Sequence, residues 1–458
     1  MFKVYPILLI SVFLLSSCAT TTSQQKINES VADELPDINE VWVNSTLNSE
    51  FNVNWSDRFN DAKLKTYIKE ALTNNKDLAV AAANVDRSWA LARQAGAALK
   101  PSIGLTAGTS NSGNFTGQSD ASNSINLGAQ VNWEIDIWGR VRSGVMAAQS
   151  SAEATELDFK FAKDSLAATV TRAYLLAVEA NLQLKLNEKI LADTAERVRI
   201  VQVQFDNGMV SSQDVSLIQS EFAAVQEQIE AVKGGQRNAT RALEVLMGRY
   251  PSAELELTDT LPDIPELPSA GLPSDVLERR PDVIAAERRV AASFNRVDQA
   301  KAAKLPSISL TSTVGGTSGQ LSDILDPANT LWTIGSNLLA PLFDGGSRDA
   351  QLEAATAEQK QALASYGQTA LNVFQEVESS LDLGSELESR LKLLELSASE
   401  AQKALNIVQL RYNSGETDLL DVLTVQQRVT SAESNLISLK RNILDQRVNL
   451  HLALGGQW

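Results

Sequence analysis

The chain has 458 residues, with 56 acidic and 40 basic side chains that give a formal net charge of −16, one histidine and one cysteine. Zinc sites and Ser–His–Asp or Cys–His catalytic groups need more histidine and cysteine than this sequence contains. A strongly acidic chain repels nucleic acid. We therefore expect neither enzymatic activity nor a nucleic-acid partner, and we interpret His451, in an apolar helical tail, as structural.

The chain opens with a predicted signal peptide, residues 1–17. Lys3 precedes an apolar run from Val4 to Leu15, which is typical of a secretory signal and too short to span a bilayer. The order Leu-Ser-Ser-Cys at residues 15–18 resembles a bacterial lipobox, in which cleavage exposes a cysteine that carries lipid. We predict that Cys18 is the lipidation site and expect no cofactor beyond this covalent lipid. An ordinary signal peptide with an incidental cysteine is the alternative.

After a lipidated N-terminal segment predicted at residues 18–60, one unit of the sequence occurs twice. We place the first repeat at 61–250 and the second at 274–458, joined by a proline-rich linker at 251–273. The repetition is visible because Phe-Asp-Asn-Gly at residues 205–208 corresponds to Tyr-Asn-Ser-Gly 207 residues later. A period of this length indicates a duplicated domain rather than a short solenoid repeat.

Each repeat is predicted to contain a helix, two strands, a long helix, a tight turn and a shorter helix. The first helix of each repeat is predicted at residues 61–99 and 274–304. The long helix is predicted at residues 141–205 and 347–412. No proline occurs between Pro101 and Pro251 or after Pro341, which permits unbroken helices in those stretches. About 65 residues make a rod of ~100 Å, whereas helices of soluble domains average ~11–12 residues.

The shorter helices carry apolar residues spaced alternately three and four apart, which predicts a coiled-coil seam with one polar position per repeat. In the first repeat the seam consists of Phe222, Val225, Ile229, Val232, Gln236, Ala239 and Leu243. In the second repeat it consists of Val429, Ala432, Leu436, Leu439, Ile443, Gln446 and Leu450. A coiled-coil lipoprotein without a pore would show the same seam, so the helices alone leave that alternative open.

The predicted strands alternate between apolar and polar residues. The clearest segment, residues 125–133, places isoleucine, leucine, alanine, valine and tryptophan on one face, and asparagine, glycine and glutamine on the other. Segments at 103–108, 308–310 and 332–338 extend the pattern. This alternation is similar to that of transmembrane β-barrel strands, and an ordinary half-buried sheet is the alternative.

Four strands cannot close a barrel, and an open sheet edge cannot lie in lipid. Two copies would give eight strands and a side-chain-filled barrel, whereas three would give twelve strands and room for a lumen. Three tryptophans are candidates for anchors at the membrane interface, with simple packing as the alternative: Trp133, Trp138 and Trp332.

Several longer motifs resemble the TolC-like outer membrane factor family, and its lipidated NodT-type branch in particular. The motifs are LERRPDVIAAERRV at 277–290, KLPSISL at 304–310, PLFDGGSRDAQLEAATAE at 341–358, NVFQEVESSL at 372–381 and RYNSGETDLLDVLTVQQR at 411–428. Weaker copies in the first repeat extend the resemblance over essentially the whole chain after the signal peptide.

The resemblance implies a mainly α fold with a membrane β-barrel. The expected assembly is a homotrimer with a 12-stranded barrel, four strands from each chain, on a coiled-coil α-helical periplasmic tunnel. The implied function is that of a passive, lipid-anchored duct in the outer membrane. Its implied partners are a periplasmic adaptor, an inner-membrane RND-type transporter and outer-membrane lipid. A lipidated adaptor is the main alternative, but an adaptor has one helical hairpin, and this sequence predicts two.

The resemblance also implies where the tunnel closes. Gly208 and Gly415 mark the hairpin tips that would contact the adaptor, and glycine suits turns that need positive φ. Tyr412, Asp418 and Asp421 match positions of the periplasmic gate. Three copies of Asp421 around one axis would form a negative ring that favours cations, whereas solvated turn residues are the alternative.

The sequence departs from the family at two positions near the second tip. Thr417 and Thr424 stand where some relatives carry charged gate residues. These departures concern the details of the gate. The exported compound is not readable from the sequence.

Overall fold

The computed structural model describes residues 22–39, 41–43, 59–113, 122–268 and 270–456. The predicted signal peptide and Cys18 lie outside the described residues. The chain divides into two units, one formed by residues 1–36, 83–158 and 282–369, and the other by residues 37–82, 159–281 and 370–458. Both are mainly helical, and the described strands belong to the first unit.

The described helices are, in chain order, α1 (Gln24–Ala32), α2 (Ala62–Asn74), α3 (Lys76–Ala97), α4 (Arg140–Asp206), α5 (Ser212–Leu246), α6 (Pro273–Arg279), α7 (Pro281–Ala302), α8 (Ser347–Asn413) and α9 (Leu419–Ala453). The strands are β1 (Ser102–Ser112), β2 (Ser122–Ile135), β3 (Ser307–Ser318) and β4 (Thr330–Leu339). Within the described part of the chain, no helix is both long enough and apolar enough to cross a lipid bilayer.

The helix predicted at 61–99 is broken into α2 and α3, so that prediction was wrong at Asn75. This residue has an extended ψ of 132° and its side chain serves both helices. Its amide Nδ2 donates to the Leu246 carbonyl at 2.9 Å, and its Oδ1 accepts from the Leu78 N–H at 2.9 Å. Asn75 is thus a cap for α3 that also ties the break to the end of α5.

The helix predicted at 274–304 is also broken, at Arg280, into α6 and α7. Pro281 disfavours the α conformation in the residue before it, and Arg280 accordingly has a ψ of 121°. Its guanidinium is 2% exposed and donates from Nη1 to the Glu376 carboxylate at 2.7 Å and to the Ala453 carbonyl at 3.0 Å. The second arginine of the LERRPD motif therefore binds the last turn of α9.

The two long helices were predicted correctly to within one residue at each end. α4 and α8 contain 67 residues each. The returning helices α5 and α9 contain 35 residues each, and seam positions Val225, Ile229, Leu439 and Ile443 are less than 9% exposed. The coiled-coil prediction for the two hairpins is therefore confirmed.

The four strands form one antiparallel sheet in the order β1-β2-β3-β4. Residues opposite one another on neighbouring strands share a face. One cross-strand row is apolar and consists of Leu105, Ala129, Val314 and Trp332. The adjacent row is polar or small and consists of Gly104, Gln130, Thr313 and Thr333. The predicted alternation is confirmed, and the apolar face is open, since Leu105 is 86% and Trp332 74% exposed.

The second unit has an apolar core that joins both repeats. Side chains of α2, α4, α5 and α9 contribute to it, and Tyr67 and Tyr174 meet edge to face with ring centroids 6.0 Å apart. The Tyr174 hydroxyl donates to Asp61 Oδ2 at 2.7 Å, while Asp61 Oδ1 accepts from the Leu64 N–H at 3.0 Å. Asp61 therefore caps α2 and anchors it to the long helix α4.

Candidate functional site

The turn after each long helix is built around a glycine. Gly208 and Gly415 have φ values of +72° and +76°, which favour glycine because it lacks a Cβ. The next residue donates its N–H to the carbonyl five residues earlier, at 2.8 Å for Met209 and 2.9 Å for Glu416. Both long helices therefore end in a Schellman motif, and the predicted hairpin tips lie at these turns.

The shorter helices begin with matching caps. Ser211 Oγ accepts from the Asp214 N–H at 3.3 Å, and Asp214 Oδ2 accepts from the Ser211 N–H at 2.8 Å. In the second repeat Asp418 Oδ1 accepts from the Asp421 N–H at 3.0 Å. Asp418 and Asp421 therefore occupy, in the second repeat, the positions that Ser211 and Asp214 occupy in the first. Both acids also lie in the first turn, where the helix dipole favours negative charge.

The Asp421 carboxylate is exposed and accepts a hydrogen bond from the Thr417 hydroxyl. Thr417 is one of the two positions where some relatives carry charge. A neutral donor at this position holds the carboxylate beside the turn without neutralising it. The assignment of Asp418 and Asp421 to a gate remains a prediction; in the structure the Asp418 side chain caps α9, and the Asp421 side chain accepts from Thr417.

Tyr412 connects the two hairpins at their tips. Its hydroxyl donates to Gln204 Oε1 at 2.9 Å, and its ring packs against a small apolar cluster centred on Val201, Ile218 and Leu419. Burial raises the pKa of Tyr412, and the Asp214 carboxylate raises it further, against the effect of the Gln204 hydrogen bond. The hydroxyl is therefore a stable donor at neutral pH.

A groove of about 500 Å³ runs between α4, α8 and α9 beside this cluster. Arg197 lies in it and donates from Nη2 to Gln426 Oε1 at 2.7 Å. Burial lowers the pKa of Arg197, whereas Asp193 and Glu221 act in the opposite direction. The contact between the hairpins near the tips is therefore partly polar.

A second group of polar contacts joins α4 and α9 farther from the turns. Glu179, 8% exposed, accepts from Arg441 Nε at 2.6 Å and from the Ser438 hydroxyl at 2.5 Å. Arg441 also pairs with Asp445. Burial raises the pKa of Asp445, more strongly than Arg441 lowers it. The hairpins are thus joined here by a charged group in which Glu179 is buried and Arg441 and Asp445 are partly exposed.

The structure brings some predicted site residues together and adds others. Tyr412, Asp418 and Asp421 lie within one turn-and-cap segment, and their role in a gate remains a prediction. Sequence reasoning missed Gln204 and Arg197, because partners between hairpins depend on tertiary register. The Ser211–Asp214 cap was readable, since Ser-x-x-Asp before an apolar run is a capping-box pattern.

Two duplicated coiled-coil hairpins with very long helices, joined to an antiparallel sheet with an open apolar face, define a class of membrane channel proteins. A sequence model described as outer membrane efflux protein matches residues 67–249 and 272–456. The chain belongs to the outer membrane efflux protein family.

Individual relatives agree with this assignment. The chain is 29% identical over 419 residues to the cation efflux system protein CusC of Escherichia coli O6:H1, covering 91% of this chain and 90% of CusC. It is 24% identical over 459 residues to the probable outer membrane lipoprotein SilC of Salmonella typhimurium, covering the whole of both chains. The solved structure of the outer-membrane channel OprN superposes with a TM-score of 0.86 at 29% identity, covering 92% of this chain and 98% of OprN.

The resemblance seen in the motifs is therefore confirmed. The protein is a passive efflux channel of the outer membrane with a periplasmic extension, and it is not an enzyme. The adaptor and the pore-free coiled-coil lipoprotein are rejected as alternatives, because the family match covers both repeats.

Proposed function

We propose that three copies of this chain form one duct, which conducts small molecules from a periplasmic adaptor and an inner-membrane RND-type transporter to the exterior. Family membership implies the adaptor and the transporter as partners. The homotrimer and the lipid anchor are the finer parts of the proposal, and each is supported by a separate feature of the chain.

The sheet carries the argument for a trimer. In the order β1-β2-β3-β4, each of β1 and β4 pairs with one strand only among the described residues. Unpaired backbone groups are not tolerated in hydrocarbon, so β4 of one copy must pair with β1 of another. Three copies supply twelve strands, enough to enclose a lumen, with the polar row of Gly104, Gln130, Thr313 and Thr333 facing inward.

The oligomeric state tests this proposal directly. Protein purified in mild detergent is expected to have three times the chain mass by light scattering, after the detergent contribution is subtracted. On gels it should migrate as a trimer without heating and as a monomer after boiling. A folded, stable monomer would overturn the proposed architecture.

The lipid anchor is proposed at Cys18, on the lipobox-like sequence before it and on the similarity to SilC, whose name describes a lipoprotein. Several acyl chains on one residue make a stable anchor. Cys18→Ser should abolish labelling by radioactive palmitate and leave an unprocessed precursor. Unchanged labelling would show that the lipid is elsewhere or absent. The trimer should survive, because the strands form an independent membrane anchor.

The hairpin turns are the proposed contact surface for the adaptor. They end each coiled coil in exposed loops, and nothing lies within 4 Å of a Cβ built on Gly208 or Gly415. A photocrosslinking residue in place of Asn207 or Ser414 should capture the adaptor in cells. The same residue in place of Thr106, on β1, is the control and should not. Capture from Thr106 alone would place the contact elsewhere.

A further inference from the structure

The loop between β3 and β4, residues 319–329, is folded into short turns. It contains two 3₁₀ helices, Leu321–Asp323 and Pro327–Asn329. The backbone N–H groups of Asp323, Asp326 and Asn329 each donate to the carbonyl three residues earlier, at 3.2, 3.2 and 2.9 Å. The Asn329 side-chain Nδ2 also donates to the Asp323 carbonyl at 2.8 Å. The β3–β4 loop therefore satisfies part of its backbone by its own hydrogen bonds.

One residue of the loop packs against the sheet. Ile324 is 6% exposed. A Cβ built on Gly316 of β3 would collide with the Ile324 carbonyl oxygen and would lie 3.3 Å from Ile324 Cγ1. Glycine in a strand often marks a place where another part of the backbone approaches closely. Gly316 is such a place, because its missing side chain leaves the space that Ile324 occupies.

This contact lies on the apolar face of the sheet. Gly316 is two residues after Val314, and alternate residues of a strand share a face. Val314 belongs to the apolar row that includes Trp332, and the residue opposite Gly316 on β2 is Leu127. The β3–β4 loop therefore folds back over the apolar face and away from the polar row of Thr313.

The loop also presents apolar side chains outward. Leu321 and Leu325, on either side of Ile324 in the sequence, are 72% and 79% exposed. Asp323 and Asp326 are exposed beside them. Exposed apolar groups rimmed by polar residues are typical of surfaces that contact a membrane or another protein. The face on which the loop packs decides between these two partners.

We propose that the β3–β4 loop lies in the interfacial layer of the membrane, where Leu321 and Leu325 contact lipid acyl chains. The inference rests on the proposed trimeric barrel, because in that barrel the polar rows face the lumen and the apolar face meets lipid. A loop that packs on the apolar face is surrounded by lipid on its other side. Gly316 is two residues before the end of β3, so the loop extends ~7 Å back along the strand. This distance agrees with the ~5–10 Å depth at which amphipathic segments lie between head groups and acyl chains.

The loop lies at the end of the sheet that is remote from the helices. α7 leads into β3 at Ser307 and β4 leads toward α8 at Leu339, and these two residues pair at the opposite end of the strands. Since the helices form the periplasmic extension of the channel, the loop meets the outer leaflet of the outer membrane. A loop in this position lies outside the lumen and does not cover its exit.

Spin-label accessibility in the full-length channel, reconstituted in phosphatidylcholine vesicles, tests this contact. A nitroxide on Leu325→Cys is compared with one on Trp332→Cys, on the apolar face, and one on Thr333→Cys, on the polar face. Oxygen dissolves in hydrocarbon and a polar nickel chelate does not, so the ratio of their collision rates with the nitroxide should be at least about threefold higher at the first two positions than at the third. The parent, whose only cysteine is Cys18, is the blank for labelling.

The two strand positions separate the possible failures. A ratio at Leu325→Cys equal to that at Thr333→Cys would overturn the proposal, because the loop would then lie in water. Equal ratios at Trp332→Cys and Thr333→Cys would instead contradict the barrel of the proposed function, and the lipid contact of the loop would be rejected with it.

Gly316→Ala tests whether packing on β3 places the loop. The added methyl group should displace Ile324 and lower the ratio at Leu325→Cys toward the aqueous value. Gly335→Ala is the matched control and should leave the ratio unchanged, because a Cβ there would lie 3.4 Å from Thr311 Oγ1, an ordinary contact. An unchanged ratio in an assembled Gly316→Ala channel would contradict the role given to this glycine. If Gly316→Ala fails to assemble, the comparison at Leu325→Cys in the otherwise native chain still decides the proposal.

Discussion

The Tyr412 hydroxyl donates to Gln204 Oε1 at 2.9 Å and so joins the last turn of α8 to the last turn of α4. This bond links the two hairpins at the point where both reverse direction. Its acceptor is a neutral side chain, and the surrounding cluster is small, with Val201, Ile218 and Leu419 as its buried members. A contact of this size is weak in comparison with the coiled-coil seams behind it, as the predicted gate at the tips would require.

Tyr412→Phe should therefore loosen the tips while preserving the packing of the ring. The change removes one hydrogen bond, with an expected loss of about 0.5–1.5 kcal/mol. Adding Thr417→Glu replaces the donor to Asp421 by a like charge and should increase the effect. We expect the double variant to show a higher single-channel conductance than the parent in planar bilayers.

The control for this experiment is Tyr366→Phe. Tyr366 is also buried in α8, at 5% exposure, but belongs to the other unit of the chain. Removing the Tyr366 hydroxyl should leave the single-channel conductance unchanged. If the Tyr412 variants also conduct like the parent, the constriction does not depend on this hydrogen bond.

A second prediction separates the charge of the Asp421 side chain from its hydrogen bond with Thr417. Asparagine retains an oxygen that can accept from the Thr417 hydroxyl but carries no charge, so Asp421→Asn should preserve folding. If three copies of Asp421 ring the lumen, the variant should show reduced cation preference and weaker block by multivalent cations. The reversal potential in a salt gradient measures the preference.

Asp214→Asn is the matched control, because Asp214 holds the same capping position in the first repeat. It should leave ion preference as it is in the parent. Equal effects of the two substitutions would mean that the acids act only as helix caps or through the general field of the tips, and the proposed ring at Asp421 would be wrong.

A third prediction concerns two glycines in helix interiors. A Cβ on Gly384 of α8 would lie 2.9 Å from Gln446 Nε2, 3.1 Å from Leu267 Cδ2 and 3.3 Å from Arg447 Nη1. Arg447 is 1% exposed and donates to the Pro265 carbonyl at 3.0 Å, so these groups have little room to move. Gly384→Ala should destabilise the protein by about 1–3 kcal/mol, as overpacking of a tight interior does.

Gly234→Ala provides the contrast. Nothing lies within 4 Å of a Cβ at Gly234 in α5, and alanine is favoured over glycine in a helix by about 1 kcal/mol. The melting temperature in detergent should therefore fall for Gly384→Ala and rise for Gly234→Ala. A higher melting temperature for both variants would show that the linker leaves room for a methyl group at Gly384 of α8.

Much of this arrangement follows from local patterns in the sequence. The long helices were predictable because their residues form proline-free helical stretches, and the two tips because Gly208 and Gly415 recur in the same context. The break at Arg280 was readable from Pro281, although a single helix was expected there. The break at Asn75 was not, because asparagine is compatible with a helix and its capping role depends on Leu246, 171 residues away.

The contacts between hairpins were beyond sequence reasoning for a related reason. Gln204, Arg197 and Glu179 are ordinary polar residues of long helices, and nothing in their neighbourhood marks them as partners of Tyr412, Gln426 or Arg441. Their pairing depends on the axial register of α4 against α8 and α9, which is set by packing over many turns. The heptad pattern identifies which face of a helix is buried, but not which helix covers it.

The last prediction concerns Asp445, whose carboxylate is 18% exposed and has one buried oxygen, Oδ1, without a hydrogen-bond donor in the described residues. The charged groups that face it are Arg441, on its own helix, and Arg172 and Glu179 of α4. Burial raises its pKa in the folded protein above the ordinary value, despite the attraction of Arg441. A carboxyl whose pKa is raised by folding favours the folded state at low pH, and this contribution is lost as the pH rises through the raised pKa.

Asp445→Asn should therefore raise the melting temperature at neutral pH, because the amide avoids the burial of a charge and still accepts from Arg441. The advantage over the parent should shrink as the pH falls, and it should vanish below the ordinary pKa of aspartate, where the parent carboxyl is protonated in both states. Asp382→Asn, at an exposed position of α8, is the control and should change the melting temperature little at either pH. A loss of stability for Asp445→Asn at neutral pH would show that the ion pair with Arg441 outweighs the cost of burial. A gain that is independent of pH would show that Asp445 does not titrate in this range, and that the contact between α4 and α9 is insensitive to its charge.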